Sequence, residues 1–110
     1  SRAWQVAERA VNANRHLDLP VTGQIFLFHP FHHSEKLAEQ NRGVKLLEDL
    51  LERVPRDWTA YVKRSIDGFS GHRDIVAKFG RFPHRNRTLN RKNTAAESDY
   101  LTRNSERFGQ

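Results

Sequence analysis

Apolar residues recur every three or four positions along much of the chain, which is the spacing of one face of an α-helix. The most regular stretch alternates in steps of four and three over three heptads. It predicts a helix from about Asp57 to Phe79, with Gly80 as its C-terminal cap and Pro83 preventing continuation. One face of this helix carries Trp58, Val62, Ser65, Phe69, His72, Val76 and Phe79.

The N-terminal part predicts two elements on either side of Pro20. Ala3–Leu17 has the three-four spacing of a helix. Gly23–Phe28, with Thr22 as its N-cap, is predicted as a short helix, although its apolar run IFLF is equally typical of a buried strand. We expect Pro30 to interrupt this second element, because proline lacks a backbone donor and clashes with the preceding turn.

A third helix is predicted from Ser34, its N-cap, to about Arg53, before Pro55. Its apolar stripe consists of Leu37, Val44, Leu47, Leu51 and Val54.

The last predicted helix begins at a capping box, in which the Thr94 hydroxyl and the Glu97 carboxylate each bind a backbone N–H that the helix leaves unpaired. It should run from Ala95 to about Arg103, with residues 104–110 fraying. Successive helices joined by short turns predict one all-α domain over residues 1–110, with about five helices arranged as antiparallel hairpins.

The composition is that of one small domain. At 110 residues the chain has room for a single core, and the absence of cysteine excludes disulfides, thiolate zinc sites and cysteine nucleophiles. The longest apolar run, Ile25–Phe28, is far shorter than the ~20 residues of a membrane span. We therefore expect a cytoplasmic protein with no membrane partner and no cofactor.

The positive charge is concentrated in one segment. The chain has a formal net charge of +6, and Ile75–Thr94 contains no acidic residue. A basic protein is suited to acidic partners, among them nucleic acid, phosphorylated metabolites and anionic protein surfaces. The segment has no recognisable nucleic-acid-binding signature, so nucleic-acid binding through residues 78–92 ranks third among the functions considered.

The middle of this segment, RFPHRN at positions 81–86, has the chemistry of an anion site. Pro83 fixes its own φ and keeps Phe82 extended, so the turn presents its polar side chains in a stiff arrangement. Arginine binds a carboxylate or phosphate through two parallel hydrogen bonds, and histidine adds a third or transfers a proton. The predicted ligand-binding residues combine this turn with the FHPFHHSE block and the helical stripe: His33, Glu35, His72, Arg81, His84, Arg85 and Asn86.

The same residues also have structural interpretations. Arg81 and Arg85 are able to pair with Glu35 or with carbonyls at a helix end. His72, on the apolar stripe, is explained equally well as a neutral buried imidazole bonded to a neighbouring carbonyl or carboxylate. Both interpretations remain open at the level of sequence.

Zinc binding is not predicted, although the FHPFHHSE block contains nominal ligands. His29 and His33 would share a helix face only if the helix continued between them, and Pro30 is expected to break it. The chain has no HExxH motif and no cysteine ligand.

Two blocks, His29–Glu35 and His72–Asn86, resemble the signature blocks of DUF924, a family of bacterial proteins of unknown function. Arg2–Asn12 also resembles a helix of this family, so the resemblance covers nearly the whole chain. It implies an all-α fold similar to tetratricopeptide-like helical hairpins and no established enzyme activity.

One departure from the family is expected to matter. The family has an Asp-Gln-Phe-Pro-Arg-Asn block and further helix upstream, which nothing in this sequence matches. The resemblance therefore implies a short or N-terminally truncated member, whose uncovered apolar surface a second copy of the chain would cover as a homo-oligomer.

The preferred function is a tetratricopeptide-like binding module, which buries a peptide or protein partner in a concave face while Arg81 and Arg85 engage its acidic groups. The alternative is a binding protein for a small carboxylate or phosphate, or an enzyme that uses His72 or His84 as acid and base. This alternative requires His72 and His84 to lie on the same side of the molecule.

Overall fold

Five α-helices and three short 3-10 turns make up the secondary structure of residues 2–104, the part of the chain that the computed structural model describes. These residues contain no strand, so the all-α prediction is confirmed. Of residues 104–110, which the sequence predicts to fray, Asn104 is the last residue of α5 and residues 105–110 lie outside the described range. The helices are α1 Arg2–Asn12, α2 Val21–His32, α3 Leu37–Arg53, α4 Thr59–Phe79 and α5 Ala95–Asn104; the 3-10 turns are Arg15–Asp18, Arg56–Trp58 and Pro83–Arg85.

Helix α2 lies at the centre of the packing, in contact with α1, α3 and α4, while α3 and α4 form the most extensive helix pair. Gly43 of α3 permits a close approach, since a Cβ there would lie 3.0 Å from the Cβ of Phe31. No helix in residues 2–104 is long and apolar enough to cross a membrane. The main core is built from Ala7, Val11, Ile25, Phe28, Phe31, Val44, Leu47, Leu50, Val62 and Phe69.

The first helix is shorter than predicted. It ends at Asn12, and the backbone then turns through Asn14, whose φ of 57° is left-handed. The predicted continuation to Leu17 is instead the short 3-10 turn, and Leu17 is exposed. Asparagine tolerates this conformation better than most residues do, which explains the break at this position.

The expectation that Pro30 interrupts the second element is wrong. Helix α2 is longer than the predicted segment and continues through Pro30 to His32, and the N–H of His33 still donates to the carbonyl of His29 at 2.9 Å. Proline removes one helical hydrogen bond. Phe28 and Phe31, on either side of it, are fully buried, so tertiary packing outweighs that loss.

Helix α3 begins two residues later than predicted, with Lys36 rather than Ser34 at its N-cap position. The turn before α3 is stabilised by a residue of α3 itself. The side-chain amide of Gln40 donates to the backbone carbonyls of His32 and Ser34, each at 2.6 Å. Leu37, predicted to lie on the apolar stripe, is exposed, whereas Leu50 is buried.

The ends of the last two helices agree with the sequence prediction. Gly80 caps α4 with a φ of 74°, and its N–H donates to the carbonyl of Val76 at 2.7 Å. Before α5, the backbone N–H of Thr94 donates to Glu97 at 2.8 Å, and the N–H of Glu97 donates to the Thr94 hydroxyl at 3.1 Å. Both are the reciprocal bonds of a capping box.

Gly68 and Gly80, where an added Cβ would meet no atom within 4 Å, provide a test of the α4 cap. Gly80→Ala should lower the free energy of unfolding by about 1–2 kcal/mol, because a left-handed φ is unfavourable for any residue with a Cβ. Gly68→Ala, in the interior of α4 with nothing within 4 Å of the new methyl group, should raise it by roughly 0.5–1 kcal/mol. Urea denaturation measures both, and a loss of stability at Gly68 would contradict the prediction.

Candidate functional site

Five histidines meet where the end of α2, the second half of α4 and the Pro83–Arg85 turn come together. The rings of His32 and His72 are 4.0 Å apart between centroids, and His29 and His33 lie 5.7 Å apart. The Phe82 ring joins His72 to His84, with centroid distances of 5.3 and 5.5 Å. We call this group the histidine cluster: His29, His32, His33, His72 and His84.

His32 lies at the centre of the cluster. Its ring stacks on Phe69 at 4.2 Å, and neither of its buried ring nitrogens has a hydrogen-bond partner among the described residues. Burial, followed by the neighbouring His72 and His33, lowers the pKa of His32 to about 3. The imidazole is therefore neutral at physiological pH and has a nitrogen lone pair without a partner.

The pKa values of three other cluster members, His33, His72 and His84, are lowered as well. Burial, with the nearby Arg85, lowers the pKa of both His33 and His84. Burial also lowers the pKa of His72, although a hydrogen bond to the backbone of His32 partly opposes the shift. At neutral pH these groups consequently act as uncharged donors and acceptors rather than as cations.

A second group of polar residues, beside the cluster, holds the segment after α4 in place. Glu35 accepts two hydrogen bonds from Arg91, at 3.0 and 2.9 Å, and one from the backbone N–H of Phe82 at 2.7 Å. Arg91 also donates to the carbonyl of Phe82 at 3.2 Å. The hydrogen bond from Arg91 is the main reason why the pKa of Glu35 is lowered.

A second ion pair joins the same segment to α5. Arg81 donates twice to the buried Glu97, at 2.8 and 2.7 Å, and once to the carbonyl of Lys92 at 2.7 Å. This contact lowers the pKa of Glu97 to about 2. Asn86 is also buried and donates to the side chain of Asn93 at 2.8 Å.

The structure thus divides the predicted ligand-binding residues into two groups. His33, His72 and His84 belong to the histidine cluster, and Arg85 adjoins it, 4.5 Å above the Phe82 ring and bonded to the carbonyl of His33 at 2.9 Å. Arg81 pairs with Glu97 and not with Glu35, the partner in the structural interpretation of the sequence. Ligand binding by these seven residues stays a prediction: His33, Glu35, His72, Arg81, His84, Arg85 and Asn86.

His29 and His32 are cluster members that the predicted set omits. They follow the spacing i, i+3 and i+4 with His33, which indicates one helix face once the helix is known to continue through Pro30. This spacing is visible in the sequence, but the expected break at Pro30 argued against a common helix face for the three histidines.

A groove of about 710 Å³ lies beside the cluster, between the start of α1 and the end of α2. It adjoins a smaller, more apolar hollow of about 410 Å³, with which it shares Ala3, Phe26 and Pro30. Phe26 is 79% exposed. The groove is lined by Ala3, Trp4, Gln5, Phe26, His29, Pro30, His33, Ser34, Lys36 and Glu39.

These features define an all-α protein with a histidine-lined groove beside its first two helices. The family described as "Bacterial protein of unknown function (DUF924)" matches residues 1–105, and the chain belongs to this family. A solved structure of a protein of unknown function, ATU0120 from Agrobacterium tumefaciens, is 32% identical and has a TM-score of 0.64. The match covers 90% of this chain and 50% of that one, so the chain spans about half the length of ATU0120. No curated protein matches the chain.

The Arg81–Glu97 pair predicts acid sensitivity. The pKa of Glu97 is about 2 in the fold against an ordinary 4.5, so the unfolded chain takes up a proton that the folded chain does not. The free energy of unfolding should therefore fall as the pH is lowered from about 4.5 towards 2. Glu97→Gln should make this fall smaller, as measured by denaturation at a series of pH values.

Asp99→Asn is the matched control on the same helix. The Asp99 side chain is 62% exposed and that of its partner Arg103 is 75% exposed, so the ion pair should contribute less than about 1 kcal/mol. Equal pH profiles for wild type and Glu97→Gln would contradict the role given to Glu97.

Proposed function

We propose that the protein is a helical binding module that binds a polypeptide segment in the groove beside α1 and α2. An apolar side chain of this segment lies in the adjoining hollow, and its acidic groups lie near Lys36 and Arg2. The observation that carries the proposal is the continuity of the 710 Å³ groove with an exposed apolar surface centred on Phe26. Its volume is within the range of ligand sites.

The apolar side of the surface supplies contact area. Phe26 and Val6 are 79% and 53% exposed, and they lie in the same hollow as the half-buried Leu27 and Pro30. Trp4 continues this surface into the groove. An exposed apolar patch with polar neighbours is typical of a protein interaction site.

The polar side of the surface favours acidic groups in the ligand. Lys36 lines the groove with an 81% exposed side chain, and Arg2 lines the hollow. The acidic Glu39 is engaged by the Ser34 hydroxyl and lies 3.9 Å from the Lys36 amine. His29 and His33 add hydrogen-bonding groups to the groove wall.

The cations proposed here to contact the partner, Lys36 and Arg2, differ from the pair predicted from the sequence, Arg81 and Arg85. Arg81 is bound to Glu97, and neither Arg81 nor Arg85 lines the groove. Small-anion binding and nucleic-acid binding stay predictions. In favour of small-anion binding, His72 and His84 both contact the Phe82 ring and so lie near each other.

Selection from a phage-displayed library of random peptides tests the proposal. We expect enrichment of peptides that combine apolar and acidic residues, with binding then measured by fluorescence anisotropy. Phe26→Ser should lower the affinity for an enriched peptide by roughly 30-fold, because loss of an aromatic residue at an interface costs about 2 kcal/mol of binding free energy. Phe26 is so exposed that the fold should not depend on it.

Leu89→Ser is the matched control, because Leu89 is 53% exposed and lies outside the groove. Lys36→Glu should reduce the preference for acidic peptides, whereas Lys63→Glu, an exposed lysine of α4, should leave it unchanged. An absence of enriched peptides, or peptides that bind Phe26→Ser as tightly as wild type, would overturn the proposal.

A further inference from the structure

Three histidines of the cluster have the arrangement of metal ligands. Each of His29, His32 and His33 offers a ring nitrogen, and these three atoms all lie within 4.8 Å of one another. Imidazole nitrogen is a favoured ligand of zinc, copper and nickel ions.

The helix geometry explains why His29 and His33 face each other. The C-cap residue His33 keeps helical backbone angles of −91° and −3°, and its N–H donates to the carbonyl of His29. Two histidines at positions i and i+4 on one helix face are the pair that binds zinc in helical zinc sites. The continuation of α2 through Pro30 therefore creates a pair of ligands that the expected break would have separated.

His32 supplies the third nitrogen from a fixed ring. The ring contacts Phe69 at 4.2 Å and His72 at 4.0 Å, and Phe69 also contacts His29 at 5.8 Å. Both ring nitrogens of His32 are buried without a hydrogen-bond partner in the described part of the chain. A buried polar atom without a partner costs about 1–3 kcal/mol, and coordination of one nitrogen would remove part of that cost.

We propose that His29, His32 and His33 bind a divalent late transition-metal ion, with Zn²⁺ as the first candidate, and that the remaining coordination position opens into the groove. Three histidines with one open position form a known class of zinc site. His29 and His33 both line the groove, so a water molecule or a ligand carboxylate would reach the ion from there.

The rearrangement that binding requires is small. Zinc–nitrogen bonds of ~2.0–2.1 Å in a tetrahedron place the nitrogens ~3.4 Å apart, so the side chains must rotate inwards by about 1 Å. His33 is exposed and His29 is half-buried, which leaves their rings free to make this adjustment around the more buried His32. Arg85, bonded to the His33 carbonyl, opposes a cation here, whereas Glu39 on the groove wall favours one.

Isothermal titration with ZnCl₂ tests the proposal, on chelator-treated protein without a histidine tag. We expect saturable binding of one equivalent, and visible absorption bands of a nitrogen-bound ion when Co²⁺ is substituted. Loss of even an outer partner of a metal ligand costs roughly 10–100-fold in affinity, so His33→Gln and the double variant His29→Gln, His33→Gln should each weaken binding by at least roughly tenfold.

His16→Gln is the control, since His16 lies outside the cluster and should leave zinc affinity unchanged. His33 is exposed, so its substitution should not disturb the fold, and circular dichroism checks this. Heats no larger than dilution, or equal zinc affinity in wild type and the double variant, would overturn the proposal. Peptide binding measured with EDTA present distinguishes failure of the metal site from failure of the binding module.

Discussion

The burial of Phe82, with Glu35 and Arg91 bound to its backbone, is the contact on which the candidate site depends. The side chain is fully buried, which contributes about 1.5–3 kcal/mol. Glu35 accepts from its N–H and Arg91 donates to its carbonyl, so both backbone groups have charged partners. The contact joins Glu35 to Phe82 and Arg91, which lie 47 and 56 positions further along the sequence. It fixes a segment that has little regular secondary structure of its own.

Phe82 also connects this anchor to the histidine cluster. His72 and His84 contact its ring, and the Arg85 guanidinium lies over it. The two groups of polar residues have different characters as a result. The charged residues, Glu35 and Glu97 with their arginines, satisfy one another and hold the chain together. The histidine cluster lies next to the groove, and burial lowers the pKa of its central member, His32.

Local signals predicted the helix ends well where one residue decides the geometry. Gly80 adopts a left-handed φ that favours glycine, and Thr94 with Glu97 forms reciprocal bonds within four residues, so neighbouring residues are enough to specify both features. Signals that compete with tertiary packing failed. Pro30 is a helix breaker by itself, but the burial of Phe28 and Phe31 carries α2 past it, and Ser34 loses the N-cap position to a turn held by Gln40.

The sequence by itself determined the all-α class, the stripe along α4, the family resemblance and the residue types gathered around the site, because these follow from local periodicity, capping chemistry and short motifs. Only the tertiary structure decided the partners. Arg81 and Glu97 are 16 residues apart and Arg91 and Glu35 are 56 apart, and no local pattern specifies which arginine meets which carboxylate. The same long-range packing brought His72 against His32, because a helix face shows where a side chain points but not what it meets.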